Sequence, residues 1–293
     1  EDNTTRTGTI FQNDSYEWET KLRYQTTHYT DQWKWSSGFN IQQSSYKNNT
    51  IFNYYDIAYN TNLNFIKYGM FLKGSRKLFN DRLDFTLGLR TDGDSFSKGS
   101  NLIDNLSPRI AFSYALTDSQ KWKLNATVGR YFKIPTYTML GFQDKRSLFV
   151  NQDALYVRSD HYVAGLEYNF SSSSRFTLEG FLKNYMNYPV SLIDGVSLAN
   201  KGGGFEVLGN EAIVSAGSGQ SSGIEFLFQQ KLSNNFYGVF AYTYFFSDFT
   251  GLDQISRPSV WDSRHLISFA GGYKLKRNWE VSARWRFAGK NPY

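Results

Sequence analysis

Hydrophobic and polar side chains alternate along most of this chain. In the stretch Lys121 to Val128, Trp122, Leu124, Ala126 and Val128 alternate with Lys121, Lys123, Asn125 and Thr127. A period of two places the two sets on opposite faces of a β-strand. The same pattern sets Tyr16, Trp18, Leu22 and Tyr24 against Glu17, Glu19, Lys21 and Arg23, and Trp33, Trp35, Phe39 and Ile41 against Lys34, Ser36, Asn40 and Gln42. Leu83, Phe85, Leu87 and Leu89 alternate with Arg82, Asp84, Thr86 and Arg90, and Ile110, Phe112, Tyr114 and Leu116 form a further set. Runs near 160–170, 174–187, 221–231, 235–248, 264–274 and 278–288 read alike, while Lys67 and Lys73 interrupt the run at 61–79. The pattern predicts about twelve strands of roughly ten to fifteen residues and no helix.

The connections alternate short and long. "YTDQ", "FNDR", "LTDSQ", "FSSSS", "LSNN" and "LKRN" are turn-like, whereas roughly 46–60, 92–106, 132–158, 188–218 and 250–263 are long, polar and irregular. Antiparallel strands reverse at each connection, so all short turns fall at one end and all long loops at the other. Outer-membrane barrels segregate their connections in this way, with short periplasmic turns and long extracellular loops. Aromatic residues fall in two bands. Trp33, Tyr114, Trp122, Phe170, Phe176, Tyr273 and Trp279 lie near the short turns; Tyr16, Trp18, Phe39, Trp285 and Phe287 lie toward the long loops. Strands favour aromatics in any setting, but two bands flanking aliphatic residues match the girdles at two lipid interfaces. The expected fold is all-β: an antiparallel transmembrane barrel whose Trp122 face meets lipid and whose Lys121 face lines a polar interior.

Composition narrows the picture. Aromatic content of 18% coexists with a mean hydropathy of −0.50, and no run of about 20 apolar residues could make a membrane helix. There is no cysteine, which removes disulfides and thiolate chemistry. The net charge of +6 over 293 residues is mild, with no basic block for nucleic acid. No secretory leader opens the sequence. The first strand precedes a short turn and the last follows one, so both termini are expected outside. That topology predicts an incomplete C-terminal barrel domain over 1–293, with strands missing at each end and supplied from elsewhere.

Several stretches resemble TonB-dependent outer-membrane receptors, most closely those of the Bacteroidetes, from about residue 60 onward. They are Ser107, Pro108 and Arg109; Gly129, Arg130, Phe132, Pro135 and Thr136; Gly223 and Glu225; Tyr242, Thr243 and Tyr244; and Asp262, Arg264 and His265. The resemblance implies a barrel of about 22 strands enclosing an N-terminal plug domain. It further implies a TonB box on that plug and energy from an inner-membrane complex. Plug, TonB box and final strands are expected to lie outside these 293 residues.

Candidate ligand-binding residues are Arg130 and Lys133, with Tyr54, Tyr55, Tyr185 and Tyr188 in or near the long loops either as stacking surfaces or, equally, as residues of the upper aromatic girdle. Arg109, Glu225, Arg264, Arg284 and Arg286 are expected as lumen-facing charges, serving an anionic ligand, carboxylates across the lumen, plug carboxylates or surface lipopolysaccharide. Inward polar residues are compulsory in such a barrel, which by itself accounts for them. Asp92 and Asp94, flanking Gly93, are a weak loop-pair candidate for Ca²⁺; the full calcium-loop pattern is missing, and an ordinary turn is the favoured reading. His28, His161 and His265 have no metal-ligand spacing, and no catalytic motif or resident cofactor is expected.

The function expected is that of a barrel wall in a Gram-negative TonB-dependent importer of a scarce solute: a siderophore, cobalamin, glycan or peptide. Its partners would be outer-membrane lipid and lipopolysaccharide, the plug, the TonB complex and the substrate, without nucleic acid. A passive channel or a non-transporting surface protein, such as an adhesin, are the rival readings.

Overall fold

The computed structural model describes residues 11–52, 57–99, 101–202 and 209–290. They form one antiparallel sheet of 13 strands. In chain order these are β1 (Phe11–Tyr29), β2 (Lys34–Phe52), β3 (Ile57–Leu78), β4 (Leu83–Asp94), β5 (Ser107–Ala115), β6 (Trp122–Lys133), β7 (Val157–Asn169), β8 (Ser174–Ser191), β9 (Ile213–Ser233), β10 (Phe236–Thr250), β11 (Ser256–Pro258), β12 (His265–Lys274) and β13 (Glu280–Ala288). Each strand pairs with its sequence neighbour, except that β10 pairs with both β12 and the three-residue β11. β1 and β13 are the two edges and do not pair with each other, so the sheet is the open wall of a barrel.

The short turns follow from their residues. Asn234 and Asn235 carry φ of 50° and 66°, and Arg277 and Asn278 carry 61° each. Two left-handed residues in succession are what a tight hairpin needs to match the twist of its strands, and asparagine tolerates that region best among residues with a side chain. Across the sheet, hydrogen-bonded rows climb relative to the turns. Gly74, Leu87, Ile110, Val128, Tyr162, Leu182, Ser222 and Phe246 form one such row. Gly74 lies near the turn end of β3, whereas Phe246 lies far up β10. This stagger is the shear that tilts the strands of a barrel.

Two expectations are corrected. Residues 46–60 are not a long loop: β2 and β3 run on through their described parts and pair as far as Phe52 and Ile57. "SSYKNNT" is polar at both parities and so looks like loop, but its inward members bond to one another and to β1. Asn48 Nδ2 donates to Asn13 Oδ1 at 2.7 Å, and Thr50 Oγ1 donates to Asn48 Oδ1 at 2.7 Å. Strand lengths of 19, 19 and 22 residues for β1 to β3 therefore exceed the expected range. The loop after β10 also contains β11, which adds a strand to the count.

A one-layered sheet has no second layer to pack against, so the buried apolar core sits elsewhere. Tyr46, Leu63 and Phe65 on the inner face of β2 and β3 meet Tyr137, Met139, Leu140, Ala154, Leu198 and Ile213. The last six come from the long loops and their borders, including the single-turn helix α1 (Tyr137–Leu140). The loops thus fold inward onto the extended hairpin, while side chains of the outer band such as Leu124, Val128, Leu178 and Ile224 stay exposed. No helix among the described residues is long and apolar enough to cross a membrane.

Candidate functional site

Alternation fixes which side chains point inward, and register brings them into rows. Lys73, Gly88, Arg109, Gly129, His161 and Lys183 share one inward row across β3 to β8. Arg23 and Arg90 stand on the same face one or two pairs away. A cavity of about 370 Å³ is lined by Arg23, Phe71, Lys73, Arg90, Arg109 and Tyr131 among others. Arg90 is taken up by Asp92, with Nε 2.6 Å from Oδ2, and also donates to Asn40 at 3.1 Å. Arg23 lies 5.8 Å over the Phe71 ring and Arg109 lies 4.1 Å over Tyr131. Arg109 crosses Gly129 to get there. A Cβ at Gly129 would stand 3.2 Å from Arg109 Cγ and 3.1 Å from Tyr131, so the glycine leaves room for the stack. Arg109 Nε is buried without a hydrogen-bond partner among the described residues. Asp92 is thus spoken for, and the charges of Arg23, Lys73 and Arg109 remain at the cavity.

Above this stripe the loops form a tied assembly. Tyr137 donates to Glu19 Oε1 at 2.6 Å, and Lys67 Nζ lies 2.9 Å from the same oxygen while also bonding the Tyr137 hydroxyl. Burial, then the hydrogen bond to Glu19, pushes the Tyr137 hydroxyl up, so it stays a proton donor throughout the physiological range. Asn151, 2% exposed, joins three segments. Its Nδ2 donates to the carbonyls of Met139 at 2.7 Å and Glu211 at 2.9 Å, and its Oδ1 accepts the Ile213 N–H at 3.0 Å. Lys201 lies 2.8 Å from Asp194 and 3.2 Å from Glu211. Burial opposes both charges there, but the hydrogen bonds between Lys201 and the carboxylates outweigh it, lowering Asp194 and raising Lys201. A depressed acid contributes stability above its unfolded value of about 3.9, and a raised base contributes below about 10.4. Protease resistance of residues 192–202 and 209–212 should therefore stay level across neutral pH and fall as pH drops below about 4. Limited proteolysis across a pH series checks this; steady weakening between pH 8 and 6 would contradict it.

The structure distributes the candidate residues unevenly. Arg109 belongs to the stripe. Lys133 has inward parity at the exposed end of β6. Arg130 shares the outward face with Val128 and pairs with Asp160, Nε to Oδ1 at 2.8 Å. Arg264 is corrected from lumen-facing: its guanidinium lies 4.1 Å over the outward ring of Phe246, because the chain enters β12 at that level with Asp262 drawing Nε to 3.4 Å. Glu225 faces inward between Glu179 and Thr243, and Arg284 and Arg286 share inward rows with Ala270 and Ser268. Tyr185 and Tyr188 pack on Phe249, with centroids at 5.2 and 4.6 Å. Tyr54 and Tyr55 lie outside the described residues. Asp92 is held by Arg90, whereas Asp94 accepts the N–H groups of Phe96 and Ser97 and the Tyr156 hydroxyl at 2.8, 2.6 and 2.9 Å. Among the described residues no three His, Cys, Asp or Glu side chains gather where a metal could sit. Sequence reasoning passed over Glu19, Arg23, Lys73 and Lys183, whose only signal was inward parity, and over Tyr137 and Asn151, which carried none.

Comparison with known proteins follows the geometry. Residues 1–293 match the family model described as TonB dependent receptor-like, beta-barrel. The backbone is similar to that of the pyoverdine outer membrane receptor FpvA of Pseudomonas aeruginosa PAO1, at 13% identity and a TM-score of 0.65, covering 96% of this chain and 43% of that one. It is similar to the copper transporter OprC at 15% identity and 0.64, covering 95% and 43%. It is also similar to the alcaligin receptor FauA of Bordetella pertussis at 12% and 0.61, covering 96% and 47%. At these identities the likeness is one of fold, and the chain spans less than half the length of each. No curated protein sequence matches it.

Proposed function

The chain belongs to the TonB-dependent receptor-like β-barrel family of bacterial outer-membrane proteins, and from that premise we propose that it walls an energy-coupled importer of anionic metal chelates. The family's members transport rather than catalyse. The observation that carries the substrate class is the inward stripe of Arg23, Lys73 and Arg109, which faces a cavity after Arg90 has taken Asp92. Positive charge on the wall of a low-dielectric cleft concentrates anions, and arginine forks suit carboxylate and hydroxamate oxygens. FpvA was solved bound to pyoverdine and FauA is an alcaligin receptor, which favours siderophores over cobalamin, glycans or peptides. In this reading the tied loops receive the chelate at the surface and the stripe guides it along the wall. A plug domain inside the barrel yields when TonB pulls on it. Further strands pair with β1 and β13, because unpaired backbone is not viable in hydrocarbon.

The test uses the receptor chain as the cell makes it. Uptake of a ferric siderophore should stop when the TonB complex is removed. The Lys73→Gln/Arg109→Gln variant should lower uptake of an anionic chelate about tenfold, the scale of one or two charge-assisted hydrogen bonds, and leave a neutral solute unchanged. Uptake that persists without TonB would make the barrel a passive channel. Equal loss for charged and neutral solutes would remove the anion assignment.

A further inference from the structure

His161 has a place in the cationic stripe, and its role rests on the anion assignment proposed above. In the inward row it stands directly between Gly129 and Lys183, two strands from Arg109. At a strand spacing of about 4.8 Å, Lys183 is one step away and Arg109 about 10 Å away. Tyr131 fills the gap. It folds back over Gly129, where a missing Cβ makes the room, and it also lines the cavity. Arg109, from β5, lies 4.1 Å from the centre of its ring, and the His161 ring, from β7, lies 4.5 Å from it. One aromatic ring therefore joins His161 to the cavity.

Its own contacts leave its charge free to change. Nε2 lies 2.7 Å from the Ser159 hydroxyl, a group that donates to a bare nitrogen and accepts from a protonated one. Nδ1 has no hydrogen-bond partner among the described residues. The charges acting on the ring are Lys183 on β8, Asp160 beside it in β7 and Arg109 on β5. Asp160 points to the outer face, where Arg130 and Arg158 hold it at 2.8 and 3.1 Å. β6 presents the neutral Tyr131 and, four residues beyond Gly129, Lys133. β8 adds Tyr185 and its one inward carboxylate, Glu179, four residues below Lys183 and folded across Gly165. The near charges on the inner face, Lys183 and Arg109, are thus both positive. A third positive charge between them is opposed while the cavity is empty, and an anion on Arg109 relieves that opposition.

We propose that His161 takes up a proton when the stripe takes up an anion, so that capture on this wall is proton-linked. The linkage is reciprocal: the factor by which the anion favours the imidazolium is the factor by which the proton favours the anion. Opposite unit charges about 10 Å apart, at an effective dielectric of about 20, couple by roughly tenfold. Histidine ordinarily titrates near about 6.5, whereas lysine and arginine keep their charge well above that range. Anion affinity therefore rises as pH falls through the histidine range, and His161 alone in the row supplies the slope. A neutral solute gains nothing from the same proton.

The experiment is isothermal titration of the receptor chain as the cell makes it, in mild detergent, with a naphthalene trisulfonate. The charge of that probe is fixed across the range used, so any pH dependence belongs to the protein. Folding of each variant is read from heat-modifiable migration. The wild type should bind about fivefold or more tightly at pH of about 5.5 than at about 8. In buffers of different ionisation enthalpy it should take up about half a proton per anion where the profile is steepest. His161→Gln should lose both the slope and the proton uptake. His161→Lys, charged at both pH values, should bind more tightly than His161→Gln at the higher one and show no slope. Lys73→Gln/Arg109→Gln should weaken binding at both. A slope that persists in folded His161→Gln, or wild-type affinity that is flat or falls in acid, would overturn the proton linkage and leave the anion site standing. A probe that binds at neither pH, or binds the Lys73→Gln/Arg109→Gln variant equally well, would remove the anion assignment and the linkage with it.

Discussion

Replacing Ile224 with arginine should remove about 2–4 kcal/mol of barrel stability, the cost of a charge on the lipid face near the midplane. Ile224 is 55% exposed and shares the row of Ala126, Ala164 and Gly180, midway between the aromatic row of Trp122 and the polar row of Arg130. Nothing in that row could pair with a guanidinium. The matched control is Thr177→Arg. Thr177 lies at the opposite parity, registered between Glu167 and Leu227, where an arginine meets a carboxylate and lumenal water. Both variants place the same charge on neighbouring strands; they differ in the side of the wall they enter and in depth, because Thr177 lies three residues nearer the short turns than Gly180, the partner of Ile224. Urea titration of the vesicle-reconstituted receptor, followed by heat-modifiable migration, measures the two losses. Equal midpoints for both would mean that the outward band does not meet hydrocarbon.

Asn151→Ala should free the loop assembly while leaving the barrel standing. The side chain is almost fully buried and makes three hydrogen bonds to two other backbone segments, at Met139 and at Glu211 and Ile213. Removing it strands two carbonyls and one N–H inside a packed cluster, a loss of about 3 kcal/mol at ordinary costs for unsatisfied buried groups. The effect is confined because the sheet's own ladder does not depend on it. Limited proteolysis should cut the variant within 192–202 or 209–212 well before the wild type, while heat-modifiable migration stays unchanged. Equal cleavage rates would show that apolar packing of Met139, Leu140, Leu198 and Ile213 holds the loops alone. In the importer proposed above, the mouth would then have a wall no longer fixed over the cationic stripe.

Legibility in the sequence followed the physics of each feature. The turns at Asn234–Asn235 and Arg277–Asn278 are local, so they were readable. So were strands such as β6, whose two faces differ sharply in polarity. The β2–β3 extension was misread because water or polar contacts meet both of its faces, which erases the period-two contrast. For Arg264 parity failed at a strand's entrance, where Asp262 and the Phe246 ring, not the pleat, decide the side chain's direction. Arg130 was singled out from its motif, yet its parity already placed it with Val128 on the outward side.

By itself the sequence determined the strands, the short turns, the face of each strand that seeks lipid, and the family, because these depend on contrasts between near neighbours and on local motifs. Register could not be read, and it alone brings Lys73, Arg109 and Lys183 into one row and Arg130 beside Asp160. The same holds for the loops: which of them fold inward, and that Asn151 and Tyr137 tie them down, depends on contacts between segments as far as 118 residues apart. Such contacts leave no period in the chain, so only the tertiary structure decided them.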